Sequence, residues 1–363
     1  MRGEIKDSPQ IFCMFRLDEK IREDHPLREI KRTCDALLKS MTVTFERMYS
    51  ATGRPSIPPE VLLKSQLLIA LYSVRSDRLF CEKLDYDFLF RWFLDMDGDE
   101  ESFDHSTFSK NRERLLEHEV AEKFFERVVG HAREKNLLSD DHFTVDGTLI
   151  ESLASLKSFR RKDGSDRPPE DGGRNPTVNF HGEKRTNETH ASTTDPESRL
   201  YRKSSGTTAK LCFIGNALME NRNGLCVGFR LDRADGKAER RGAKSLIRRV
   251  IRKGLEPETL AGDKNYHTKD FVVFCREKGI RPHVALHSKW KIPGLDGRTT
   301  RHKGYEISQR KRKLIEQKFG WAKTIGGLFK SRFFGKAKTE FWALMALSAY
   351  NLLRIRNLTP TPA

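Results

Sequence analysis

Three acidic residues stand where their side chains could share one task. Asp146 lies within or just beyond a run of strand formers at 142–146, Asp263 ends a second such run at 259–263, and Glu316 sits in a late, basic helical stretch. In a mixed sheet, acids at the ends of adjacent strands converge on one rim, and a helix packed across that rim adds a third. Oxygen donors of this kind suit hard divalent cations, Mg2+ with Mn2+ as a substitute. Two such ions about 3.5–4 Å apart activate a water or hydroxyl and stabilise the leaving oxygen in phosphoryl transfer. Taken one at a time, each acid also has a plainer account: Asp146-Gly147 as a turn, Asp263 as a helix N-cap, Glu316 as part of a solvated charged face.

The cations around Glu316 separate the two accounts. At roughly 100° per residue, Arg312 lies roughly 40° and Lys323 roughly 20° from Glu316, so all three line one stripe of a continuous helix. As an ion pair the order is poor, because Glu is favoured N-terminal to its cation, and here Arg comes first. As a surface for a phosphate backbone it is sensible: the acid holds metal while the cations hold the polyanion. Residues 301–338 carry twelve Lys or Arg against two acids, and the whole chain carries 68 against 51, a net charge of +17. Nucleic acid is therefore the first partner to expect. Lys313 and Lys318 in the same stretch, and Arg112 far upstream, join Arg312 and Lys323 as expected DNA contacts.

The elements that must position these residues follow from periodicity. Up to about residue 138 apolar residues recur at three-to-four spacing, for instance Val120, Phe124, Phe125, Val128 and Val129, which predicts a helical domain over 1–138. Ile57-Pro58-Pro59-Glu60 predicts a helix start running toward Val74. The acidic run at 95–101 lacks the Gly and Glu that a calcium loop requires. From 139 to 356 the pattern is mixed α/β: a strand at 142–146, a hairpin around Asn221–Gly224, a helix at 238–253, a strand at 259–263, a helix at 268–278, a strand at 281–287, a long basic helix from about Ser308 and a final helix at 340–356. Residues 156–208 are polar and basic, an excursion from the core that could order on DNA.

Bulk properties fit this division. A chain of 363 residues is long enough for two cores. The six cysteines show no metal-ligand spacing, so they read as reduced, mostly buried thiols. With neither a signal-peptide pattern nor a membrane-spanning run, the expected location is the cytoplasm.

The run Arg312-Lys313-Leu314-Ile315-Glu316-Gln317-Lys318-Phe319-Gly320, with Lys323 after it, resembles the third-acid signature of bacterial insertion-sequence transposases of the DDE type. Thr144-Val145-Asp146-Gly147-Thr148, Ala261-Gly262-Asp263-Lys264-Asn265-Tyr266 and Asp104-His105-Ser106-Thr107-Phe108 are similar to further stretches of that family, in the same order, as are 180–185 and 187–190. The likeness runs from about residue 17 to 356. It implies a ribonuclease H-like mixed sheet with flanking helices behind an all-α region that serves end recognition or assembly. It also implies Asp146, Asp263 and Glu316 as catalytic metal ligands, cleavage at the terminal inverted repeats of a mobile element, joining of the 3′-hydroxyl ends to target DNA, a homo-oligomer on DNA, and association with the bacterial nucleoid. Two departures stand out: Gln309 replaces a frequent Tyr, and Asn265 replaces a common Gly, for which a left-handed turn tolerated by Asn is expected. A nuclease that hydrolyses without joining, and a regulator with a decayed site, are the competing functions.

Overall fold

The computed structural model describes residues 16–49, 52, 56–164, 185–203, 206–286 and 297–359. Its N-terminal part is helical: α1 (Leu17–Lys20), α2 (Pro26–Lys39), α3 (Thr42–Glu46), α4 (Pro59–Leu71), α5 (Asp77–Tyr86), α6 (Phe88–Leu94), α7 (His105–Glu117) and α8 (Val120–Glu134). Helix starts follow local chemistry. Pro59 supplies the first turn of α4, Ser76 Oγ accepts from the Leu79 amide at 3.1 Å, and Asp104 caps α7 by accepting from the Ser106 amide at 2.7 Å.

The strands that follow are β1 (His142–Glu151), β2 (Phe159–Arg161), β3 (His190–Ser192), β4 (Arg199–Tyr201), β5 (Lys210–Glu220), β6 (Leu225–Arg233), β7 (Thr259–Gly262) and β8 (Arg281–Val284). Helices α9 (Ala238–Arg252) and α10 (Lys269–Glu277) alternate with the later strands. The chain closes with α11 (Arg298–Arg301), α12 (Tyr305–Lys311), α13 (Leu314–Thr324) and α14 (Lys336–Leu358). β6 pairs antiparallel with β5 and β5 antiparallel with β1, whereas β1, β7 and β8 run parallel. This order, β6-β5-β1-β7-β8, is the ribonuclease H-like sheet. Asn221–Gly224 turns β5 into β6, and Gly224 has the positive φ, 70°, that an L side chain resists. α9 packs on β1, β5 and β6; α12 lies on β7 and β8, α13 on β1, and α14 on β6 and on the early helices α2, α4 and α8.

Three expectations change. β1 does not end at Gly147: β5 pairs with it from Phe143 to Glu151, so Asp146 and Gly147 lie mid-strand. The polar stretch is in part sheet, because β4 extends the edge beside β5 and β2 pairs with β3. Its polar groups satisfy one another: Ser152 Oγ donates to Asp195 at 2.5 Å, and the Asn187 side chain holds both the amide and the carbonyl of Leu200 at 2.9 Å. Residues 165–184 and 204–205 of that stretch lie outside the described residues. Finally, the long basic helix is two helices, with Arg312 and Lys313 at the joint. There the Ile315 and Glu316 amides bond to the carbonyls of Arg312 and Lys313, three residues back rather than four.

The five cysteines among the described residues are free and buried, and burial pushes the thiols of Cys34, Cys81, Cys212 and Cys275 up to about 12. Among the described residues no helix is long and apolar enough to cross a membrane.

Candidate active site

β1 and β7 are neighbours in register, with Thr144 opposite Ala261. Asp146 therefore projects two residues beyond this pair on β1, and Asp263 two beyond it at the end of β7. Both side chains are half-buried. Asp146 Oδ1 accepts the Gly147 amide at 2.8 Å, and Asp263 Oδ1 accepts the Asn265 amide at 2.9 Å. Burial raises the pKa of Asp146, and the charge of Asp263 raises it further; Lys203, the Gly147 amide and Arg312 pull the other way. The two acids thus feel each other, and Arg312 lies within electrostatic reach. Asp263 also caps the short turn Lys264–Tyr266, so its capping role and its place beside Asp146 coexist. The turn at Asn265 forms as a single 3-10 turn, Lys264–Tyr266, without a left-handed residue, so the tolerance of Asn for that conformation is not needed.

A third acid, one that its sequence context did not single out, comes to the same place. Glu239, in the first turn of α9, is pushed up to about 6 by burial first, then by Asp263 and Asp146. From sequence an acid at that position reads as a partner for the positive end of the helix dipole, which hides any further role. The available signal was Gly147. A Cβ there would sit 2.6–2.9 Å from the Glu239 side chain, so the glycine of Asp146-Gly147 makes room for a carboxylate.

Glu316 is exposed in the first turn of α13, and its charge is not among the largest influences on Asp146 or Glu239. Among the described residues no three His, Cys, Asp or Glu side chains close on one metal position. The donor set nevertheless fits a divalent cation by its chemistry. It is all oxygen, it repels itself, and among the described residues no Lys or Arg forms an ion pair with Asp146, Asp263 or Glu239.

The expected DNA contacts divide. Arg312 and Lys323 are half-buried near Asp146, and burial, then Lys203, lowers the pKa of Lys323 while Glu151 and Asp146 raise it. Lys313 is exposed. Lys318 is fully buried, its Nζ 3.8 Å from Cys226 Sγ, because the Arg312–Glu316 stripe faces outward and Lys318 falls on the face of α13 that meets the core. Arg112 is buried too, bonded to Asp77 and stacked 4.3 Å over the Phe333 ring. Neither side chain is placed to touch a phosphate. Of the twelve cations at 301–338, Lys336 and Lys338 are also engaged, with Glu340 and Glu113.

A ribonuclease H-like sheet that carries Asp146 within one strand and Asp263 just past the end of its parallel neighbour, beside a basic helical flank, has the chemistry suited to a polyanion. Family matches narrow it: residues 15–114 match "Transposase domain (DUF772)" and residues 183–352 match "Transposase DDE domain". The chain belongs to the DDE transposases. No curated protein matches it. Among solved structures it is similar to the piggyBac transposase in a synaptic complex with hairpin DNA, with 9% identity over 92% of this chain and 74% of that one and a TM-score of 0.43. It is similar also to a pre-cleavage Mos1 transpososome, with 9% identity over 85% and 81% and a TM-score of 0.21.

Proposed function

We propose that this transposase cleaves DNA at the ends of a mobile element and joins the resulting 3′-hydroxyls to target DNA, with Mg2+ held by Asp146, Asp263 and Glu316. The observation that carries this reading is the pair Asp146 and Asp263, half-buried on neighbouring parallel strands and not neutralised by an ion pair, beside the cations of α12 and α13. When bound, the divalent ions supply charge for activating a nucleophilic oxygen and stabilising the leaving one. Asp146 and Asp263 hold that charge in place, each fixed in orientation by a backbone amide on one oxygen and leaving the other oxygen for the ligand. Glu316 is assigned as the third ligand because α13 rests on β1 and its first turn presents an exposed carboxylate. Arg312, Lys313 and Lys323 grip the backbone of the DNA. The helical region 1–138 recognises the terminal inverted repeats or joins protomers, and 139–356 performs the chemistry.

End cleavage in Mg2+, measured beside a DNA-binding titration, tests the assignment. Asp263→Asn still caps the turn but lacks the charge. Its cleavage should fall by more than about 100-fold, beyond the 10–100-fold typical of residues that only support a ligand, with DNA binding retained. Asp146→Asn and Glu316→Gln should behave alike, and any of the three that cleaves like the wild type leaves the ligand set. A substrate with a pre-cut 3′-hydroxyl end distinguishes joining from plain hydrolysis.

A further inference from the structure

We propose that Glu239 is a further carboxylate ligand of the divalent-cation site, presented by the first turn of α9 opposite Asp146 and Asp263. The proposal rests on the reading of Asp146 and Asp263 as metal ligands.

Four observations converge on it. The Glu239 side chain occupies the volume a Cβ on Gly147 would need, its Cγ 2.6 Å and its Oε1 2.8 Å from that position, so the carboxylate lies against the backbone of the residue next to Asp146. Asn265, two residues after Asp263, donates Nδ2 to Glu239 Oε2 at 3.4 Å, which ties α9 to the end of β7 and leaves Oε1 on the Gly147 side. The neighbouring cation does not neutralise it: the Arg240 guanidinium bonds to the carbonyls of Asn265 and Gly236, at 3.0 and 3.2 Å. The fourth observation is the Tyr266 hydroxyl. Tyr266 is fully buried, its Oη has no hydrogen-bond partner among the described residues, and burial, then the charges of Glu239, Asp146 and Asp263, raise its pKa against the opposing charge of Arg240. A buried hydroxyl without a partner normally costs stability, so one within electrostatic reach of three acids marks a place where a ligand completes the bonding.

The physical argument is charge. Three half-buried carboxylates within electrostatic reach of one another repel, and a hard cation bound among them would convert that repulsion into coordination. The one hydrogen bond Glu239 makes is long, 3.4 Å, and so does little to hold its carboxylate in place.

Mn2+ titrated into the full-length chain bound to duplex DNA, with free Mn2+ followed by electron paramagnetic resonance, decides the matter. Glu239→Gln should weaken Mn2+ uptake by more than about 100-fold, beyond the 10–100-fold typical of residues that only support a ligand, without lowering the metal-free melting temperature, because the substitution removes repulsion while keeping the side chain's size. Glu239→Asp, which withdraws the carboxylate by one methylene, should weaken uptake by a smaller factor and carries the test if the Gln variant does not fold. A loss in a folded Glu239→Gln variant no greater than about the 100-fold of a supporting residue, or, where only Glu239→Asp folds, Mn2+ affinity within about twofold of wild type, overturns the proposal. Asp146→Asn separates the two levels. If it loses Mn2+ and Glu239→Gln does not, only the role of Glu239 falls. If wild type and Asp146→Asn take up Mn2+ equally, or neither does, the metal reading of the whole site falls with it.

Discussion

Lys318 and Lys323 lie five residues apart on α13 and meet opposite surroundings. Lys318 is enclosed among Cys226, Phe319 and the sheet, where burial lowers its pKa and no carboxylate pairs with it. Lys323 borders the acidic site. A buried ammonium with only a thiol and an aromatic ring for partners is a liability that an apolar side chain of similar length removes. Lys318→Met should therefore keep or raise the melting temperature and leave DNA binding unchanged in its salt dependence. Lys323→Gln should instead flatten the log–log salt dependence of DNA binding by about 0.9 for each phosphate that is no longer neutralised. Equal slopes for wild type and Lys323→Gln would remove Lys323 from the DNA surface, and a flattened slope for Lys318→Met would overturn its place in the core.

Helix α12 is seated on the sheet by neutral histidines. His142 on β1 accepts from Asn221 Nδ2 at 2.7 Å through Nδ1, which leaves Nε2–H to donate to Ser308 Oγ, and Gln309 Nε2 donates to the His283 carbonyl on β8. Gln309, where the family often has Tyr, thus fastens the helix that leads to Arg312. Burial, then Lys311, holds His142 down at about 4 against the opposing charge of Asp141; burial, then His302, does the same for His283. Because both folded values lie below the unfolded one of 6.5, the stabilisation is complete above pH 6.5 and is lost as pH falls toward 4. For His142 the loss is of order 3 kcal/mol. His142→Gln should melt lower than wild type at pH 7.5 or so, where the native histidine is fully neutral, and the gap should narrow on acidification through this window. Parallel pH–melting curves for the two proteins would show that His142 does not seat α12.

The helical region and the sheet share one hydrophobic core, which runs from Leu27 and Phe124 through Trp342 and Met345 of α14 to Phe229 of β6. α14 is the element in common. Asn351 pairs with both backbone groups of Cys226 on β6, at 2.9 and 2.8 Å, while neighbouring turns of the same helix pack on α4 and α8. Further links tie the early helices to the segment after α13: Ser73 Oγ donates to the Ile325 carbonyl at 3.0 Å, Arg332 bonds to the Val74 carbonyl, and Arg112 stacks on Phe333. A fragment of residues 1–138 would expose the faces of α4 and α8 that α14 covers, and so should lack a cooperative melting transition, while the full chain should unfold with helical and sheet probes coincident. A stable, cooperatively melting fragment would show that the two regions are independent folding units.

Local patterns carried much of this molecule. Apolar spacing marked α4, α8, α9 and α14, Asn221–Gly224 marked the hairpin of β5 and β6, and strand formers ahead of Asp146 and Asp263 placed both acids on adjacent strands. Such signals are readable because a helix or strand must present one face to a core whatever that core contains. Where the pattern failed, the deciding partner was distant in sequence. Gly147 looked like a strand end until β5 paired across it, and Lys318 and Arg112 looked like surface cations until the sheet and Phe333 covered them. The basic helix looked continuous because periodicity barely registers a joint of two residues at Arg312 and Lys313. Glu239 is the clearest case, 92 residues from the glycine it lies against. The sequence by itself determined which residues are acids, which segments are helix or strand, and that a basic surface adjoins them. Only the tertiary structure decided which charges face one another, because burial and proximity are properties of the packed chain and not of any segment within it.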